Sequence, residues 1–309
     1  MFEQSIIIVM LISIVRLSTP VVIGAMGGLF SELSGVMNLC AQGLMTLGAF
    51  FAMLGTYYTH NPWIGVLCGI AAGALGGLLN ALITVEFGGN QNLFGLGLNM
   101  FAGGVTAYFM RVLFKSSISA NVENLWNTSF LRGIPLVGPI LSEFSPLVYI
   151  GIVLVGVVAF VIYRTPFGLR VRAVGNDPRT LETAGANVWR LRGLCVVLCG
   201  MIIGLAGAYL SLGQMSLYMD GMVAGKGMLA FIAVKMGQYT PWRITGMALL
   251  FGFFDALQMQ LQMSTTIAFP TELVQTIPYV AAIIIMFLNS KVDMPKAIAK
   301  PYTKQKYNV

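Results

Sequence analysis

Apolar runs of about 20 residues recur along the whole chain, and they leave it few folds. A helical run of that length matches the hydrocarbon thickness of a bilayer. Within a bilayer only helices and closed barrels satisfy their own backbone hydrogen bonds. The runs fall at 5–29, 36–58, 63–85, 92–114, 146–163, 193–215, 226–240, 242–263 and 273–290. They predict an all-α polytopic membrane protein of nine spans, a single transmembrane domain over residues 1–309. The seventh run is short and carries Lys226 and Lys235, which suits a broken or re-entrant helix. In the 115–145 loop, LRGIPLVGPIL allows a tenth element too short to span. The N-terminal MFEQSIIIVMLISIVRLSTP has no basic n-region and no small-x-small cleavage site, so it reads as a span.

Charge sets the orientation. Only 9% of the residues are charged, against about 25% in soluble domains. A net charge of +7 would suggest nucleic acid in a soluble protein. Here the basic residues sit at the ends of apolar runs, where they orient spans. The polar stretch Arg164–Arg192 has six arginines (164, 170, 172, 179, 190, 192) against Asp177 and Glu182. Beyond Asn289 come five lysines (291, 296, 300, 304, 306), and Arg243 lies at the junction of runs seven and eight. An odd number of spans puts these segments on one side, the cytoplasm by the positive-inside rule, with the N-terminus outside. Within the stretch, Asp177-Pro178 is a helix start and Gly185 a stop. A short helix in a basic loop is expected there, either an ordinary loop feature or a docking element for a soluble partner.

Ala41–Phe50 (AQGLMTLGAF), followed by NPW (61–63) and NAL (80–82), parallels Gly225–Val234 (GKGMLAFIAV), TPW (240–242) and DAL (255–257). Five spans separate the copies, so they run in opposite directions. This is an inverted repeat with halves at about 30–114 and 216–290, and such repeats place a substrate path at their interface. Gln42 and Lys226 occupy equivalent places, each just before a glycine. Gly65, Gly69, Gly73 and Gly77 lie four apart in the third run, and Gly200, Gly204 and Gly207 recur in the sixth. Both sets read as helix-packing faces.

Ionisable groups within spans point to function by default. They are Arg16, Lys226, Lys235 and Asp255. Asn38, Gln42, Asn80, Gln91, Asn99, Gln214, Gln258 and Gln262 add uncharged polar groups that either line a path or join helices. Cys40, Cys68, Cys195 and Cys199 form no C-x-x-C and read as filler, and the single His60 falls in a turn. No metal site is expected. The chain has no G-x-x-x-x-G-K-[ST], no G-x-S-x-G and no H-E-x-x-H, so neither ATP binding of its own nor hydrolase chemistry is expected.

Several segments together resemble one known family: SELSGVMNLCAQGLMTLGAF, GGNQNLFGLGLNM, GLRVRAVGNDPRTLETAGANV, GLAGAYLSLG, GKGMLAFIAV and the late Ile277-Pro278-Tyr279. They resemble the permeases of bacterial ABC importers in the ribose and branched-chain amino acid superfamily, closest to the nucleoside (simple-sugar-like) uptake branch. The resemblance implies a non-enzymatic permease subunit in the cytoplasmic membrane that takes up nucleosides. It implies no cofactor of its own, ATP being bound by a cassette subunit. It also implies a second homologous permease and an extracellular substrate-binding lipoprotein. The loop 164–192 would dock the cassette through Asp177, Pro178, Arg179, Glu182, Gly185 and Asn187. Asn38, Gln42, Asn99, Gln214 and Lys226 would line the path of a small polar substrate. The family core has ten helices, and this chain looks like a shorter permease lacking the first. The family often has Glu at Gln42 and Arg at Lys226. The alternatives are a simple sugar or branched-chain amino acid as cargo, an ion-coupled transporter with Asp255 and Lys226 as its relay, or a membrane scaffold.

Overall fold

The structure is a computed structural model and describes residues 2–119, 121–122, 144–263, 276–288, 294–300 and 302. The segment 131–141 and Lys291, Lys304 and Lys306 lie outside the described residues. The elements are α1 (Phe2–Leu33), α2 (Ala41–Thr59), α3 (Pro62–Ala81), α4 (Gln91–Phe114), α5 (Pro146–Arg164), α6 (Pro166–Asn176), α7 (Pro178–Thr183), α8 (Val188–Ala208), α9 (Lys226–Met236), α10 (Pro241–Met263) and α11 (Ile277–Leu288). Wider π turns extend α3 over Leu82–Glu86 and α8 over Tyr209–Gln214. Among the described residues, six helices are long and apolar enough to cross a membrane: Ile8–Leu33, Pro62–Glu86, Gln91–Phe114, Pro146–Arg164, Val188–Gln214 and Pro241–Gln262.

Proline opens α3, α5, α6, α7 and α10. It fits there because a first-turn N–H has no partner within the helix. Inside α1, Pro20 has the opposite effect: it offers no N–H to the Arg16 carbonyl four residues back. The Tyr209 hydroxyl takes that carbonyl instead, at 2.9 Å from α8.

The glycine faces meet. A Cβ at Gly73 would collide with the Gly200 carbonyl, and one at Gly204 with the Gly69 carbonyl; at Gly77 it would lie 2.9 Å from the Val196 carbonyl. Gly48 of α2 closes the same seam, the Gly69 position lying 2.8 Å from its carbonyl oxygen. Backbones this close forgo side-chain packing for direct contact between helices.

Three expectations change. The second helix starts at Ala41, not near 36. Gly35, at φ 91°, ends the preceding helical course. In Val36–Cys40, Met37 N–H then donates to Gln91 Oε1 (2.8 Å) and the Leu39 carbonyl accepts from Asn99 Nδ2 (2.9 Å). The basic stretch forms two helices rather than one, because Thr165-Pro166 caps a further helix, α6, with the Thr165 hydroxyl accepting from Gly168 N–H. Arg190 and Arg192 belong to α8 rather than to a loop. Arg192 is buried and donates to the Lys300 carbonyl at 3.1 Å.

The short seventh run is α9, 11 residues long. Like α2 before α3, it is followed by a proline-started helix, although α2 has 19 residues.

Candidate functional site

Gln42 and Lys226 come together. Gln42 Oε1 accepts from Gly227 N–H at 3.1 Å, so the start of α2 caps the start of α9. On the other side, Asn99 Oδ1 accepts from Gly43 N–H at 2.7 Å. Each first-turn N–H, free in an isolated helix, is thereby satisfied by an amide from elsewhere in the bundle. Asn38 is buried, donating to Cys199 Sγ and accepting from Cys40 Sγ, both at 3.1 Å. Through the Leu39–Gly43 backbone, Asn38, Gln42 and Asn99 form one polar cluster that ends at α9. Gln214 is apart from it, at the end of the α8 π turn, with a buried Oε1 that has no hydrogen bond.

Lys226 also faces an open cavity of about 380 Å³, lined by Leu17, Leu229, Asp255, Gln258, Gln262 and Tyr279 among others. The cavity draws on α1, α9, α10 and α11. At its rim, the Tyr279 hydroxyl donates to the Ala224 carbonyl at 2.9 Å. Gly225, at φ 79°, lies so close to that hydroxyl that a Cβ would strike it.

At the other end of α9, Lys235 pairs with Glu32 at 3.4 Å and sits 4.5 Å from the Phe231 ring centre. Glu32 is fully buried, and one of its oxygens has no hydrogen bond. Sequence reasoning picked out Lys235 but missed Glu32. The signal was present: Glu32 and Glu3 are the only acids before Glu86, but position 32 lies beyond the expected end of the first span.

The turn around α7 is a second polar assembly. The Asp177 side chain accepts from Arg179 N–H (3.0 Å) and from the Thr180 hydroxyl (2.7 Å). The Thr180 hydroxyl and the Arg179 N–H hold its carboxyl below the usual carboxylate range. Pro178 opens α7, Gly185 leaves it at φ 82°, and Asn187 caps α8 by accepting from Arg190 N–H at 3.1 Å. Residues 294–300 and Tyr302 lie across this end. Ala297 N–H donates to the Gly175 carbonyl (2.9 Å) and Ala299 N–H to the Gly35 carbonyl (3.1 Å). The Tyr302 hydroxyl donates to Glu182, and its ring packs on Trp189 at 5.3 Å between centres. The six coupling residues expected from sequence thus fall in one compact turn–helix–turn. No cluster of His, Cys, Asp and Glu fit to hold a metal occurs among the described residues.

Residues 10–287 match the family described as branched-chain amino acid transport system / permease component. The chain is 31% identical to the Guanosine ABC transporter permease protein NupQ of Bacillus subtilis, over 94% of each chain. It is 32% identical to the Nucleoside ABC transporter permease protein NupC of Lactococcus lactis, over 94% of this chain and 95% of that one. To the Putative glucose ABC transporter permease protein TsgC13 of Haloferax volcanii it is 34% identical, over 80% of this chain and 76% of the other. No solved structure matches it significantly.

Proposed function

The chain belongs to the family of branched-chain amino acid transport permease components, and from that premise we propose that it is the permease subunit of an ABC importer for nucleosides. It is a multi-pass protein of the cytoplasmic membrane. The observation that carries the cargo is similarity over nearly the whole length to two nucleoside permeases. The glucose relative supports a sugar as the second reading.

In this reading the chain runs in nine spans, N-terminus outside and C-terminus in the cytoplasm. Its halves at about 30–114 and 216–290 are inverted copies. A separate cassette subunit hydrolyses ATP, a second homologous permease completes the gate, and an extracellular lipoprotein delivers the nucleoside. The capped helix α7, with Asp177, Pro178, Arg179, Glu182, Gly185 and Asn187 around it, seats in the cassette. Support for that seat comes from its cap geometry and from residues 294–300 and Tyr302, which tie it to the end of α1 and to α8. Asn38, Gln42, Asn99, Gln214 and Lys226 border the path. The Gln42–Gly227 contact, where two helix starts abut, supports that assignment for Gln42 and Lys226. No cofactor is bound by this chain.

The test is nucleoside uptake by membrane vesicles that carry the chain with its accompanying subunits. Accumulation that requires ATP and survives collapse of the ion gradients is expected. Accumulation driven by a gradient without ATP would overturn the reading in favour of an ion-coupled transporter. In the same vesicles, reversing the charges at Arg179 and Glu182 together is expected to leave ATP hydrolysis running while uptake falls.

A further inference from the structure

We propose that the cavity at Lys226 and Asp255 is a station for the passing nucleoside. There Asp255 accepts from a ring N–H of the base and Lys226 donates to the carbonyl beside it. This inference rests on the nucleoside reading above.

Three observations lead to it. The first is convergence. Lys226 from α9, Asp255, Gln258 and Gln262 from α10 and Tyr279 from α11 all border one opening. Positions 255, 258 and 262 lie three and seven apart, which puts them on one helix face. Polar groups in a span carry a cost, and here they converge on space rather than on a neighbouring helix. The volume of about 380 Å³ falls within the range of small-molecule sites. Leu17, Leu229 and Met259 supply an apolar wall for a flat ring.

The second is an ion pair left open. At the far end of α9, Lys235 closes an ion pair with Glu32. Lys226, on the same short helix, faces Asp255 across the cavity without closing on it. A ligand that sets a donor beside an acceptor bridges the two with charge-assisted hydrogen bonds. A lactam base edge, N–H next to C=O, has that pattern. The amides of Gln258 and Gln262 can each donate and accept, which suits ribose hydroxyls.

The third observation removes one of the two ways to hold a zwitterionic amino acid, leaving only the Lys226–Asp255 pair itself, which the leucine competition below tests. Its carboxylate would look for free N–H groups at a helix start. The start of α9 has none to give. Lys226 N–H donates to the Val223 carbonyl (2.9 Å), Met228 N–H and Leu229 N–H to the Gly225 carbonyl (2.9 and 3.0 Å), and Gly227 N–H to Gln42 (3.1 Å).

The experiment compares ATP-driven uptake of inosine and 1-methylinosine, which lacks the ring N–H. It uses native-host vesicles at concentrations that saturate the delivering protein, so that protein's preference drops out. Wild type is expected to favour inosine about tenfold, the worth of one hydrogen bond to a charged group. Asp255→Asn, whose amide oxygen still accepts but without charge, should narrow the gap between the two rates, whereas a merely structural role would lower both and keep their ratio. Lys226→Gln is the second variant and should lower both rates alike, because both cargoes keep the carbonyl that Lys226 meets. Equal rates in wild type, an unchanged ratio in assembled Asp255→Asn, or full uptake in Lys226→Gln would overturn the proposal. So would competition by leucine or glucose that is lost in Asp255→Asn. Wild-type vesicles that take up no nucleoside at all would remove the functional reading itself, a result distinct from these.

Discussion

The seam between α3 and α8 and the short helix α9 face the same solvent problem in opposite ways. In the seam, Gly73, Gly77, Gly200 and Gly204 bring two backbones into contact with no side chain between them. Helix α9 has a lysine near each end, one paired with buried Glu32 and one facing the cavity. The seam gains from close van der Waals contact, which in lipid replaces the hydrophobic drive between helices. It has one good arrangement. Buried charges in α9 are stable only with partners, and partners can be exchanged. The seam therefore fits the part of the molecule that stays still, and α9 the part that answers to a ligand.

The comparison can be broken most sharply at Glu32. Glu32→Ala leaves Lys235 buried without its carboxylate and should cost about 3–5 kcal/mol, measured by reversible unfolding in mixed micelles. Adding Lys235→Met should recover most of that loss. If the single variant unfolds like wild type, the buried pair is not what holds α9 to α1. Next in size is the seam. Gly73→Ala forces a methyl against the Gly200 carbonyl and should cost about 1–3 kcal/mol in the same assay, with no change in nucleoside preference. A shift in preference would mean that the seam is not the still part. The smallest effect belongs to the docking cap, outside both regions. The folded carboxyl of Asp177 titrates below its unfolded value. Its cap is thus intact above ordinary carboxylate pH and weakens only as pH falls through the lowered value. Hydrogen exchange at Arg179 and Thr180 should quicken in that acid window. Asp177→Asn, still able to cap, should remove the pH dependence.

Local chemistry was legible in the sequence. The four-residue glycine spacing of α3 and the Asp-Pro start and glycine stop of α7 each depend on residues within two turns, and each appears as read. Features decided by backbone course or by distant partners were not legible. Val36–Cys40 scores as apolar, and hydropathy reports burial without reporting that the chain there is not helical. α6 was hidden because its start is a single Thr-Pro among arginines. Glu32 and Lys235 are 203 positions apart, and nothing local joins them. Of the residues proposed for the path, Gln42 meets the start of α9, a meeting that the equivalent places of Gln42 and Lys226 in the proposed repeat led us to expect. Asp255, Gln258, Gln262 and Tyr279 were in view only as separate polar groups, because a cavity is a property of four helices at once.

Pro20 has a mechanical consequence. Between Leu17 at the cavity and Leu33 against Gly175, α1 is a rod of about 24 Å, and its one weakened rung is held by the Tyr209 hydroxyl. A force applied near α7 would therefore act on a lever with its fulcrum at that notch. In the proposed importer, cargo release is then geared to the ATPase through a single pivoting beam, without any signal relayed from side chain to side chain.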